Sequence, residues 1–228
     1  MMMRIFSTVL CWLALGTAGP ALAQFSPIST PDSAYTSGTT VIPISAANGT
    51  TLSSLTGGSM TMTLSTSMSA QTVPGGGWGT WNSPPNTESA TPRVLARYTS
   101  LATQTISFSQ PTTTFGVEIE PDSFGSFSVS VDFMNGATTL GTVTRTVNGN
   151  AGALLFAATS TTPITSVVIT TPLAANGFAL AQLRYRAPAA AAAATPVPTL
   201  TEWGMITLTS LLAMFGLWQV RRRGTPGS

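Results

Sequence analysis

The sequence predicts an all-β fold: an antiparallel β-sandwich, with the jelly roll as one form of it, between an N-terminal signal peptide and a single C-terminal transmembrane helix. Three observations carry this prediction. Apolar and polar residues alternate with a period of two from Ser59 onward, Asn-Gly pairs punctuate the alternation, and no long helical period appears before the C-terminal tail. Short strands joined by polar turns belong to sandwiches and jelly rolls rather than to α/β layers.

The elements follow in order. Met60, Met62 and Leu64 alternate with Thr61, Thr63 and Ser65, and earlier and later strands fit Thr39–Ile44 and Thr105–Ser109. Phe115, Val117 and Ile119 alternate with Gly116, Glu118 and Glu120, and Phe127, Val129, Val131 and Phe133 with Ser128, Ser130 and Asp132. The apolar set of each run is expected in the core, and Glu118, Glu120 and Asp132 in solvent. Asn135-Gly136 suits a hairpin turn, the return strand runs from about Thr138 to Val147, and Gly141 fits a bulge. After Asn148-Gly149 come Ala153–Ala158, Ile164–Thr170 and Phe178–Tyr185, the last opened by Asn176-Gly177.

Composition removes several chemistries. Of 228 residues only 7% are charged, against roughly 25% in an average domain. The polarity is carried by 39 Thr and 25 Ser. There is no His, hence no Ser–His–Asp or Cys–His catalysis and no histidine metal site; there is no Lys, hence no Walker-type or Schiff-base lysine. The formal charge of +2 comes from the ends, where Arg4, Arg221, Arg222 and Arg223 lie. Between Gln24 and Ala187, five arginines face six acids. A near-neutral domain has no basic stripe for phosphates, so nucleic acid is not an expected partner.

Both ends read as addresses. Arg4, the apolar run Ile5–Leu15, the breakers Gly19 and Pro20, and Ala21-Leu22-Ala23 stand in the order of a signal peptide over residues 1–23. Signal peptidase would cut after Ala23 and leave Gln24 first. Cys11, the single cysteine, leaves with that segment, and no cysteine stands at the cut to take a lipid. The domain is then 24–186, followed by an Ala/Pro linker at 187–196. Trp203–Val220 has no charged residue, and Arg221–Arg223 follow at once. Eighteen residues of helix rise about 27 Å, near the thickness of a hydrocarbon core. The arginine cluster keeps the C-terminus cytoplasmic, and Trp203 and Trp218 suit the two interfaces.

The stretch Val197-Pro198-Thr199-Leu200-Thr201-Glu202-Trp203-Gly204, followed by a span and arginines, resembles the IPTL-CTERM variant of the PEP-CTERM sorting tails; Val197 stands where that variant has Ile. The resemblance spans residues 197–224. It implies processing by an exosortase-type membrane transpeptidase in a Gram-negative bacterium, a transient inner-membrane anchor, and a destination at the cell surface or extracellular matrix. An ordinary single-span anchor accounts for the helix and arginines but not for the motif. The run from Phe115-Gly116-Val117-Glu118 through Arg145 to Leu155-Phe156-Ala157-Ala158 is also similar to domains of PEP-CTERM-tailed proteins, and that likeness implies no catalytic residue.

Three features of the domain carry candidate chemistry. Glu118 and Glu120 lie on one strand face about 7 Å apart, a glycosidase-like separation. The pattern is similar to the E-x-D-x-x-E strand of some jelly-roll glucanases, but departs from it at the middle and last acids. With Asp122 they could instead contribute to a calcium site, or they could be a solvated face that meets Arg184 or Arg186. Trp78 and Trp81, in Pro74–Pro85, could form a sugar-stacking platform or a lid over one end of the core. Arg145 shares a face with Val143 and Val147 and reads as a paired structural arginine. No cofactor, resident metal or catalytic residue is expected. The leading expectation is a non-enzymatic exported protein of the surface or matrix, with extracellular polysaccharide as a partner. A carbohydrate-binding module and a glycoside hydrolase are the alternatives.

Overall fold

A computed structural model of the chain describes residues 24–99, 102–187 and 200–223. The signal segment, nearly all of the linker, and Val197, Pro198 and Thr199 lie outside these. The described residues fall into two units, divided between Pro188 and Ala189.

The first unit is almost entirely strand: β1 (Phe25–Ile28), β2 (Thr40–Val41), β3 (Thr51–Gly57), β4 (Met60–Thr72), β5 (Arg93–Arg97), β6 (Thr103–Pro121), β7 (Ser126–Asn135), β8 (Thr138–Asn148), β9 (Leu154–Thr170) and β10 (Phe178–Arg186). One short helix, α1 (Ser33–Ser37), interrupts them. Asp32 caps it by accepting the Tyr35 backbone N–H at 2.8 Å, the ordinary task of an aspartate at a helix start. The second unit contains one helix, α2 (Leu200–Arg223).

All ten strands join in one hydrogen-bonded sheet, ordered β2-β10-β5-β4-β6-β9-β7-β8, with β1 added to β9 and β3 to β4. Every strand pair is antiparallel. The all-β class therefore holds, with every strand in one continuous antiparallel network. The two pairs of short strands expected near 105–119 and 153–170 each run on as one long strand, β6 and β9. The register of β6 on β9 shifts between Ser107 and Thr114, the mark of bulges within these long strands.

The hairpin β7–β8 turns at Asn135-Gly136 and bulges beside Gly141, as its turn residues and glycine require. A Cβ on Gly141 would come within 2.3 Å of the Phe25 ring, which packs edge-on against Phe133 at 5.4 Å. Phe115, Val117, Ile119, Val129, Val131 and Phe133 are fully buried in the main core, with Met60, Met62, Phe156 and Leu180. Phe127 is only half-buried. Asp132 lies on the outer face of β7 and accepts a bond from Thr142 at 2.5 Å.

A second apolar layer covers the other face of β6. Tyr35 from α1 packs with Leu155 and Ala157, over Gly116, where a Cβ would stand 2.2 Å from the Tyr35 hydroxyl. Beside them Trp78 and Trp81 pack with Val73, Val94, Ala96, Ala153, Ala179 and Ala181. The segment Phe115–Pro121 is thus buried on both faces.

Candidate functional site

Glu118 and Glu120 are the residues that this double burial affects most. Both were expected in solvent, and both have no exposed surface. Their direction relative to Val117 and Ile119 is as the alternation requires. What differs is that their face is roofed by residues 73–92.

The roof is bonded to them atom by atom. Trp78 donates its indole N–H to Glu120 Oε2 at 2.8 Å, and Trp81 donates to Glu118 Oε2 at 3.1 Å. The backbone N–H of Glu88 reaches Glu118 Oε1 at 2.6 Å. Thr80 and the Gly152 N–H both donate to Glu120 Oε1 at 3.2 Å. A buried carboxylate is tolerated only when its oxygens are satisfied, and each of these four oxygens has a donor. Burial still dominates their ionisation. It pushes the Glu118 carboxyl up to about 7, against the opposing N–H bonds from Glu88 and Trp81. It raises Glu120 as well, against the bonds from Trp78 and Gly152.

Beside Glu118 stands the one ion pair among the described residues. Arg184 grips Glu88 with two bonds, Nε to Oε1 at 2.6 Å and Nη2 to Oε2 at 2.7 Å. Its other amine donates to the carbonyls of Thr36 and Thr39 at 3.1 and 3.2 Å, tying α1 to the roof. A bulge decides that Arg184 reaches this side. Gln182 adopts φ +49°, and the register of β10 on β6 shifts between Ala181 and Arg184. Ala179 and Ala181 face the roof, Leu180 and Leu183 face the main core, and Arg184 returns to the roof side.

These contacts correct two expectations. Trp78 and Trp81 are 4% and 6% exposed, so the loop is a lid over the sheet and not an open two-indole platform. Glu118 and Glu120 are sealed beneath it and offer a glycan no access. Among the described residues no three of His, Cys, Asp and Glu form a metal-holding group. Asp122 lies outside the lid and accepts a bond from Asn176 at 2.8 Å. Arg145 has no carboxylate partner among the described residues. It donates to the carbonyls of Ser29 and Ile28 at 2.9 and 3.3 Å, with its guanidinium 6.0 Å from the Phe156 ring centre.

The tail is the other site. Within α2, Trp203–Arg222 is 20 residues long and apolar enough to cross a membrane, with none of that stretch buried. It rises about 30 Å. Leu208, Leu211, Leu212 and Phe215 are all exposed, an apolar surface that water does not favour. Its hydroxyls are spent inside the helix: Thr207 bonds the Trp203 carbonyl at 2.8 Å, Ser210 bonds that of Ile206 at 2.7 Å, and Thr209 bonds that of Met205. Polar groups so satisfied are compatible with lipid. The helix runs on through Arg221–Arg223 rather than stopping before them. The Arg222 guanidinium sits 3.8 Å over the Trp218 ring, placing a cation on an indole at the helix end.

The family model of the IPTL-CTERM motif matches residues 195–223. The chain carries an IPTL-CTERM motif. It is a C-terminal sorting signal of the exosortase type, and Trp203, Gly204 and the arginine cluster lie in the matched segment. The match covers the IPTL-CTERM tail and not the β domain. A comparison with curated proteins finds no match. Among solved structures, the chain is similar to the enzymatically active domain of tailspike protein 4 of bacteriophage CBA120. The identity is 14% and the TM-score 0.29, over 66% of this chain and 19% of that one. The chain thus spans about a fifth of that protein's length, and the likeness is too distant to bear on the fold or function of the IPTL-CTERM chain.

Proposed function

We propose that this is a non-enzymatic protein of the bacterial surface or extracellular matrix, delivered by two successive processing events. Signal peptidase removes residues 1–23 after Ala21-Leu22-Ala23. The exported chain is then held in the inner membrane by Trp203–Val220, with Arg221–Arg223 on the cytoplasmic side. An exosortase-type transpeptidase recognises Val197, Pro198, Thr199, Leu200, Trp203 and Gly204 and releases the chain from its anchor.

The observation that carries this reading is the IPTL-CTERM match at residues 195–223 on a helix of membrane-spanning length. The physics of the helix supports it. An arginine at the bilayer centre costs roughly 2.5–3.5 kcal/mol, so three in a row oppose passage of the C-terminus. The domain supports the non-enzymatic part: its paired carboxylates are sealed and bonded to indoles, and its arginines hold carbonyls or Glu88.

Replacing Pro198, Thr199 and Leu200 together by Ala tests the proposal in the native host. The expected result is full-length protein retained in the inner membrane, with insertion intact. If the triple variant is still trimmed and still reaches the surface, the tail is only an anchor.

A further inference from the structure

The outer rim of the lid holds a feature that the buried indoles do not use. A pocket of about 160 Å³ opens between the lid and the β6–β7 turn, lined by Gly77, Trp78, Tyr98, Asp122, Phe124 and Gly149 among others. Phe124 is 76% exposed at the tip of that turn, and Tyr98 is 41% exposed across from it. Two aromatic side chains left in water around one cavity are an unspent source of burial energy.

The pocket is built rather than merely open. The Tyr98 ring lies 5.5 Å from the Trp78 ring at a 33° tilt, and its hydroxyl donates to the Gly77 carbonyl at 2.5 Å. Trp78 is in turn pinned by Glu120. The wall is therefore ordered before any ligand arrives, which lowers the entropy lost on binding. Asp122 has one carboxylate oxygen on the Asn176 amide at 2.8 Å, and the other has no donor among the described residues. No cation pairs with it, since the single ion pair among those residues is Arg184 with Glu88.

We propose that this pocket binds one neutral pyranose unit of a polysaccharide. The apolar C–H face of the ring stacks on Phe124 and Tyr98, and its hydroxyls donate to the free oxygen of Asp122. A pyranose combines the two surfaces the pocket complements. The unpaired carboxylate repels uronic acids and favours neutral sugars. A caged quaternary ammonium fits less well, because Trp78 and Tyr98 cover one another at 5.5 Å and cannot flank a cation. The inference rests on the reading of the domain as exported. Its test uses purified protein and stands apart from the sorting experiment.

The full chain, in a non-glycosidic detergent, is passed over immobilised dextran, mannan, galactan, chitin oligosaccharides and alginate. Retention on at least one neutral glycan is expected, with alginate bound at least about tenfold more weakly. Phe124→Ala and Asp122→Asn should each weaken neutral-glycan binding about tenfold, and Phe124→Tyr should keep it. Phe124→Ala should leave the unfolding midpoint unchanged, since the ring is exposed. Absence of retention on every neutral glycan, stronger binding to alginate, or undiminished binding by Phe124→Ala would overturn the proposal. So would retention abolished by tetramethylammonium but not by free sugar, which assigns the pocket to organic cations.

Discussion

Trp81 donates its indole N–H to Glu118, a residue 37 positions further along the chain, and the two are buried together at 3.1 Å. This bond, with that of Trp78 to Glu120, makes residues 73–92 a fixed roof rather than a free loop. Removing the donor while keeping the ring isolates its worth. Trp81→Phe should destabilise the domain by about 1–3 kcal/mol, because one Glu118 oxygen loses its donor inside the protein. Trp78→Phe should cost a similar amount, since Thr80 and Gly152 both bond Glu120 Oε1 and leave Oε2 without its donor. Urea unfolding followed by intrinsic fluorescence measures both. Equal stability of wild type and Trp81→Phe would mean that the bond contributes nothing net.

Glu118 sets a pH dependence of definite sign. Burial raises its carboxyl from 4.5 to about 7 in the folded protein. Between those values the folded state holds a proton that the unfolded state releases. Stability from this group is therefore fully present below about 4.5 and is lost as pH rises to about 7. The loss is on the order of 3 kcal/mol at most. Glu120 is raised too and adds in the same direction. The urea midpoint should fall across this window, and Glu118→Gln should flatten the fall. A midpoint that climbs with pH in the wild type would contradict the burial argument.

The bulge at Gln182 turns Arg184 to Glu88. Arg184→Leu keeps the bulge and leaves the Glu88 carboxylate without its cation at this largely buried pair. An unpaired charge left there should cost about 3–5 kcal/mol, enough to remove most of the stability of an ordinary domain. Circular dichroism and urea titration would report it. Adding Glu88→Gln to that variant, which removes the unpaired charge, should recover part of the loss.

The chain after the predicted cut enters the sheet at once. The Gln24 carbonyl accepts the Thr161 N–H at 3.1 Å, its side chain donates to Thr162 at 2.8 Å, and Phe25 packs on Phe133. N-terminal sequencing of the exported protein should begin at Gln24. Phe25→Ala should cost about 2 kcal/mol and expose β1 to proteases, the ring being only half-buried. Export with Met1 retained would refute the signal-peptide reading.

Much of the fold could be read from residue order. The alternation from Phe115 to Ile119 and from Phe127 to Phe133 marks two strands and names most of their core residues. Asn135-Gly136 marks the turn from β7 into β8 correctly. What the same alternation misreads is Glu118 and Glu120. A period of two reports that one strand face is more polar than the other. It does not report what covers the polar face. The sugar-stacking assignment to Trp78 and Trp81 fails for the same reason, because their partners lie in β6 and not in their own loop.

The tail was determined by sequence alone. An apolar run of membrane length, a terminal arginine cluster and an eight-residue motif are contiguous, and transfer between water and lipid acts on contiguous segments. The lid, the bidentate Arg184–Glu88 pair and the Tyr98–Phe124 pocket were decided only by tertiary structure. Each joins residues from separate strands and loops, through hydrogen bonds and burial that exist only once the sheet has closed on them. Gln182 shows the limit most sharply: one residue in a left-handed conformation reverses which face Arg184 occupies, and nothing in its local sequence demands it.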